Sequence, residues 1–243
     1  MLAHMDIAAA LAQASADLKQ PQDLDAALAT IAEVACESTP GIDHVGISVA
    51  HRGGRIETRA WTDQVVVELD QLQYDTGQGP CLQALESDGV VRVEHARHEQ
   101  RWPAFIPGAV RLGLRSQLGV RLNSDARTFG ALNLYSFSSD TLSDETVQMS
   151  ELFASHAALA MGHAERIGNL SAALTSRKVI GIALGLLMHR LEIDEPTAFA
   201  YLTRMSASTE TKLRDVAASV VADHEARFGR GATEAGEPEP AGA

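Results

Sequence analysis

Apolar residues recur along this chain with two periods, and the change from one to the other divides it. Leu24, Ala27, Leu28, Ile31 and Val34 step by three or four, so residues 23–38 are predicted as an amphipathic helix that Pro40-Gly41 stops. Residues 6–18 are predicted helical as well. From Val45 the period shortens to two. Residues 45–51 and 55–61 read as strands around a Gly53-Gly54 hairpin signal. Residues 79–87 read as a short helix opened by Gly79-Pro80, since proline suits a first turn. Residues 90–93 follow as a strand and 102–112 as a helix. Residues 117–122 and 129–135 form a second hairpin-like pair around Asp125. Strands joined by hairpins, with helices before and after, imply an α+β fold with a mainly antiparallel sheet.

The helical period returns at Leu142-Ser-Asp-Glu-Thr and runs far. Leu152, Phe153, His156, Leu159, His163, Ile167, Leu170 and Leu174 form a stripe. Its first half, through Met161, is expected to pack on its own domain. Beyond Gly162 no sheet is left to cover it, and a parallel coiled-coil homodimer through this connector helix is the economical solution. Gly162 and Gly168-Asn169 mark possible kinks. Three helical pieces follow, making a small bundle. Residues 175–191 continue or restart the connector. Asp194-Glu195-Pro196 starts the second piece, which carries Ala198, Phe199, Leu202 and Met205. Ser208 or Thr209 caps the third, which carries Leu213, Val216, Ala217, Val220 and Val221. The tail from Gly229 to Ala243, rich in Gly, Pro, Ala and Glu, is expected to be disordered.

Charge sharpens this division. The net charge of −12 argues against indiscriminate nucleic-acid binding by the whole chain. Residues 1–176 carry 12 Lys and Arg against 22 Asp and Glu, whereas residues 177–227 carry seven of each. A neutral helical module that binds nucleic acid must gather its cations on one side. No window approaches the roughly 20 unbroken apolar residues of a membrane span, and Asp6 interrupts any secretory leader, so a cytoplasmic, membrane-free protein is expected. Cys36 and Cys81 are far apart without paired spacing, and His95 and His98 have no carboxylate or thiol cluster beside them in the sequence. No metal site is read. No nucleophile elbow, phosphate loop or dinucleotide fingerprint occurs; Gly77-Gln-Gly79 runs straight into Pro80. No catalytic residue, cofactor or enzyme activity is expected.

Four separated blocks resemble a known domain: Tyr74-Asp-Thr-Gly-Gln-Gly-Pro-Cys-Leu-Gln-Ala-Leu, Arg101-Trp-Pro-Ala-Phe, Leu112-Gly-Leu-Arg-Ser and Phe129-Gly-Ala-Leu-Asn-Leu-Tyr-Ser. Over residues 20–165 the chain resembles the GAF domain of actinobacterial GAF–ANTAR regulators. The resemblance implies a six-stranded antiparallel sheet flanked by helices, with a pocket for an unidentified small-molecule ligand. Trp61, Tyr74, Trp102, Phe105 and Tyr135 are the candidate pocket residues, against the plain alternative of core packing. The Asn-Lys-x-Phe-Asp-Glu signature of cyclic-nucleotide-binding GAF domains is absent. Cys81 reads either as structural or as a chromophore or redox thiol. The latter would suit a GAF-like enzyme such as a methionine-sulfoxide reductase, a remote option.

Residues 175–225 resemble the ANTAR domain, through Arg177-Lys-Val-Ile-Gly-Ile-Ala-Leu-Gly-Leu-Leu-Met-His-Arg-Leu, Ala198-Phe-Ala-Tyr-Leu, Ser206 and Lys212-Leu-Arg-Asp-Val-Ala. That family implies a three-helix module that binds RNA stem-loops and acts by transcription antitermination, with dimerisation setting its activity. Arg177, Lys178, Arg190, Arg204, Lys212 and Arg214 are the candidate phosphate contacts, with small Ala183 and Gly185 permitting close approach. The alternative is a solvated face paired with Glu192, Glu195, Glu210 and Asp215. Leu184 stands where the family commonly has lysine and Glu210 where it commonly has asparagine. A dimeric sensor acting through protein contacts, its helical module drifted from RNA, is therefore the competing reading. The expected domains are a GAF-like sensor over 1–160, a connector helix over 161–176, an ANTAR-like module over 177–227 and a tail over 228–243.

Overall fold

The computed structural model describes residues 23–86, 89–124 and 127–234. The expected helix at 6–18 lies outside the described residues. The chain forms two compact units, Met1–Gly168 and Asn169–Ala243.

In the first unit, α1 (Leu24–Ser38) leads to β1 (His44–Ala50) and β2 (Ile56–Trp61). Helices α2 (Gln64–Thr76) and α3 (Pro80–Glu86) follow, then β3 (Val90–Val93), a single 3-10 turn at Ala96–His98, and α4 (Ile106–Arg111). Strands β4 (Ser116–Ser124) and β5 (Arg127–Ser136) complete a sheet of order β2-β1-β5-β4-β3, antiparallel at every pairing. Among the described residues it has five strands, not the six that the resemblance implied. Helix α4 covers only part of the expected 102–112 span. The Phe105 and Ile106 amides turn back to the Trp102 carbonyl, and the regular helix begins only at Ile106.

Both faces of this sheet are buried, and they differ in chemistry. Strand alternation sends Val45, Ile47, Leu118, Val120, Leu122, Leu132 and Leu134 to one face, against Leu28 and Ile31 of α1. The long helix α5 (Asp144–Leu191) closes the same core with Phe153, Ala154, Ala157, Ala158 and Met161. Alanines at these steps let a helix lie close to a sheet. The first half of the predicted stripe thus packs on its own domain. Neither Gly162 nor Gly168-Asn169 interrupts α5, and residues 175–191 continue it. The Gly162 backbone faces the Phe129 ring, which lies 3.5 Å from where a β-carbon would stand. By length and composition α5 passes a test for a membrane helix. Glu165, Arg166, Arg177 and Lys178 nevertheless leave it no uncharged run of the roughly 20 residues that a span needs.

The second unit packs the last turns of α5 with α6 (Glu195–Thr209) and α7 (Leu213–Glu234). Ala183, Leu187, Ala198, Leu202, Val216 and Ala217 form its core. Asp194 caps α6 as predicted, its carboxylate accepting from the Thr197 N–H at 3.0 Å. Ser208 and Thr209 do not cap the third helix. They lie in the last turn of α6, and α7 begins at Leu213, after the Asp215 and Val216 amides close onto the Lys212 carbonyl. Helix α7 runs to Glu234, into the segment expected to be disordered; residues 235–243 lie outside the described residues.

Helices α5 and α6 are each followed by a glutamate in the left-handed region, Glu192 at φ 52° and Glu210 at φ 51°. The Ile193 and Thr211 amides bond back to Met188 and Ser206 and enforce those stops. A side chain there brings its β-carbon close to the following carbonyl, a steric strain that glycine lacks. Glu210→Gly is expected to stabilise this unit by about 0.5–1 kcal/mol, read as a raised thermal midpoint. An unchanged or lowered midpoint would count against a strained cap.

Candidate functional site

The second sheet face carries polar side chains where a core would be apolar. Register places Ser48 of β1 beside Thr58 of β2, and Asn133 and Tyr135 of β5 beside Gly119 and Gln117 of β4. Helix α2 lies over them, burying Val66, Leu69, Asp70 and Gln73, a helical i, i+3, i+4, i+7 set. Asp63 caps α2 through the Val65 N–H at 2.9 Å, and Gly77 ends it at φ 62°. Helix α3 comes so close that a β-carbon at Gly119 would stand 2.9 Å from the Pro80 carbonyl oxygen.

Asp70 is the centre of this layer and is fully buried. Its carboxylate accepts from Thr58 Oγ1 at 2.7 Å, from Asn133 Nδ2 at 3.1 Å and from the Tyr135 hydroxyl. Longer bonds come from Gln73 Nε2 at 3.4 Å and Ser48 Oγ at 3.5 Å. All five donors are neutral. Burial therefore pushes the carboxyl up to about 6, and the bonds from Tyr135, Thr58, Ser48 and Asn133 limit the rise. The Tyr74 hydroxyl closes the network at 2.7 Å from Ser48 and 3.1 Å from Thr58. Burial and the neighbouring Asp70 charge push both tyrosines up. Within this layer two side chains keep buried polar atoms without partners among the described residues: both amide atoms of Gln117, and Oδ1 of Asn133.

Of the predicted pocket residues, Trp102, Phe105 and Tyr135 share one buried cluster, and Tyr74 is linked to Tyr135 through Ser48 and Asp70. Trp61 is not with them; at 48% exposure it stands at the solvent end of β2. Arg101 stacks over Trp102 at 4.4 Å. The polar members Ser48, Thr58, Asp70, Gln73, Gln117 and Asn133 escape the sequence reading, although Ser48 and Asn133 each sit between apolar neighbours within strands. Cys81 belongs to this layer, fully buried, its thiol pushed up to about 12 chiefly by burial and next by Asp70. Burial likewise raises Cys36. A thiol held protonated is a poor nucleophile, and Cys81 is also closed off from solvent, which disfavours a redox role for it.

In the helical unit, Arg177, Lys178, Arg190, Arg204, Lys212 and Arg214 are all exposed. Arg214 pairs with Asp215 at 3.2 Å; the other five form no ion pair with a described residue. Ala183 is a correction: it is fully buried in the core and cannot touch a ligand. Gly185 is exposed, with open space where a β-carbon would stand. Leu184 is half-buried against the core. The three candidate cations on α5 do not share a face, contrary to expectation. At about 100° per residue, Arg177, Lys178 and Arg190 point in three directions roughly evenly spaced around the helix. Lys178 alone aligns with Gly185, seven residues on, along the side opposite Ala183.

Both site types have recognisable relatives. A GAF-domain model matches residues 21–162, more than half of the chain, and an ANTAR-domain model matches residues 168–221. Among solved structures, a bacteriophytochrome from R. palustris matches with TM-score 0.56 at 15% identity, over 84% of this chain and 46% of that one. A phytochrome photosensory core from Stigmatella aurantiaca matches with TM-score 0.54 at 11% identity, over 84% of this chain and 45% of that one. The GAF domain of an Acinetobacter phosphoenolpyruvate-protein phosphotransferase gives TM-score 0.51 at 16% identity, over 68% and 96% respectively. At these identities they show the fold alone. No curated protein matches the chain. The fold and the matched domain define the first unit as a GAF domain. With an ANTAR domain following it, the chain belongs to the GAF–ANTAR regulators, and its domain composition points to a regulator.

Proposed function

We propose that the chain is a cytoplasmic, signal-responsive RNA-binding regulator that acts by transcription antitermination, its GAF domain sensing a small ligand. The observation that carries this reading is the open side of α5: Lys178 has no carboxylate partner among the described residues, and Gly181 and Gly185 have nothing within 4 Å where a β-carbon would stand. Such a side admits an RNA backbone closely at Lys178; Arg177 and Arg190, also exposed and unpaired, point in other directions around the helix and weigh against a single basic face. On the sensor side, the unpartnered amide of Gln117 and the unpartnered Oδ1 of Asn133, beside a buried carboxylate, favour a polar ligand in that layer. The connector offers Leu170 at 63% and Leu174 at 60% exposure to a second copy, as a homodimer through this helix requires.

A competing reading makes the chain a dimeric sensor that works through protein contacts. Leu184 favours it, because a half-buried leucine has replaced a cation there, and Glu210 adds an acid. A gel-shift titration against paired hexaloop stem-loops at several salt concentrations separates the two. RNA binding should weaken with salt, and Lys178→Gln should lower the magnitude of the log–log slope by about 0.7–0.9. Absence of structure-specific, salt-dependent binding, restored by Leu184→Lys with Glu210→Asn, establishes drift away from RNA instead.

A further inference from the structure

His95 and His98, isolated in the sequence, are brought by the fold to an arginine-rich cleft of about 470 Å³. Four basic side chains line it: His95, Arg97, His98 and Arg115. His95 is held in the left-handed region at φ 49°, a conformation that a non-glycine residue keeps only when its surroundings enforce it. Three backbone bonds do so. The His95 N–H donates to the Asp140 carbonyl at 2.7 Å, Ala96 N–H to Arg115 at 2.8 Å, and His98 N–H to His95 at 2.7 Å. The turn is thereby clamped to the start of β4 and to the loop after β5, and the two imidazoles face the cleft with ring centres 6.3 Å apart.

Charge in the cleft is unbalanced. Arg115 is committed: it forks onto Asp140 through Nε at 3.0 Å and Nη2 at 2.5 Å, while Nη1 donates to the Ser138 carbonyl at 3.0 Å. Asp140 thus matches Arg115. Arg97 forms no ion pair among the described residues and feels Asp140 only at longer range, and the two imidazoles add donors. One wall is different in kind. The Phe137 ring, braced edge-on by His44 at 5.3 Å, lies against the Gly113 backbone, where a β-carbon would stand 3.1 Å from it. With glycine at that position no side chain covers this edge of the ring, so an apolar edge borders the cleft beside the cations. The described residues hold no metal-ligating group of three His, Cys, Asp or Glu, so the histidines are not read as ligands to a metal.

We propose that this cleft binds a small phosphate monoester with a planar apolar body, the phosphate held by Arg97, His95 and His98 and the body resting on Phe137. Three donor groups around one end match the three terminal oxygens of a phosphate monoester, and the dianion answers the surplus positive charge. Its lining shares no residue with the Asp70 layer, and it owes nothing to the RNA reading.

The test uses the full chain and two probes, inorganic phosphate and phenyl phosphate, titrated at constant ionic strength while the imidazole resonances of His95 and His98 are followed by NMR. Both resonances should shift saturably, with phenyl phosphate binding at least about fivefold tighter than phosphate. Arg97→Gln should weaken phenyl phosphate about tenfold, the loss of one charge-assisted contact. Arg97 is exposed, and an unchanged remainder of the spectrum verifies that the variant folds. His98→Gln provides a second variant with the same expectation. No saturable shift up to roughly 20 mM, far weaker than charge-assisted contacts should give, would overturn the proposal. So would equal affinity of the parent and Arg97→Gln, or of the two probes.

Discussion

Asp70→Asn is expected to erase a pH-dependence of about 3 kcal/mol in the stability of the GAF unit. The folded protein holds this carboxyl at about 6, against 3.8 in a free chain. Because the folded value is the higher one, the native state binds the proton more tightly than the unfolded state does. The stability gained from that proton is fully present below pH 3.8 and is lost as pH rises through about 6; linkage converts the gap to about 3 kcal/mol. The amide of the variant does not titrate, and its carbonyl can still accept from Thr58 and Tyr135. The variant's stability between pH 4 and 7 should follow only the remaining groups. Denaturant midpoints for parent and variant at both pH values check this. A parent no less stable at pH 7 than at pH 4, relative to the variant, would show that Asp70 is not the strained buried acid described above.

Gly130→Ala is expected to cost about 3 kcal/mol or more, the largest effect of any single methyl group in the sheet. A β-carbon at Gly130 would stand 1.8 Å from the Ser48 carbonyl oxygen and 3.1 Å from the Val49 Cα, both backbone atoms of the paired strand β1. Flexible side chains can move aside; a neighbouring strand cannot, except by breaking its ladder. The consequence spreads, because Ser48 on the same segment holds Asn133 Nδ2 at 2.9 Å and the Tyr74 hydroxyl. Urea unfolding gives the magnitude. A loss under about 1 kcal/mol would mean that β1 and β5 separate easily there, and that the polar layer is less tightly fixed than its bonds indicate.

Much of the architecture is legible in the order of residues, because it follows from local rules. Helix α1, the pairs β1–β2 and β4–β5, the Asp194 cap and the onset of α5 follow from periodicity, turn residues and capping, each carried by a few neighbouring positions. Helix α2 is less so: Gln64-Val-Val-Val-Glu-Leu favours a strand by β-branching, and burial of Val66, Leu69 and Gln73 on the sheet, with the Asp63 cap and the Gly77 stop, makes it helical. The start of α7 misleads because Ser208 and Thr209 are good capping residues in isolation. Their position inside α6 depends on the left-handed Glu210 that follows.

Chemistry follows the same division. The two domain types are visible from motif blocks, and the exposed cations of the helical unit from composition. Whether those cations share a face depends on helix continuity through residue 191, which spreads Arg177, Lys178 and Arg190 around one axis. Burial of Ala183 depends on packing by α6 and α7. The Asp70 layer is wholly tertiary: its members span residues 48 to 135, and no local signal relates them. Periodicity determines which residues face inward on each element; only the assembled sheet and helices decide what they meet there, and so which polar groups lose water and change their proton affinity.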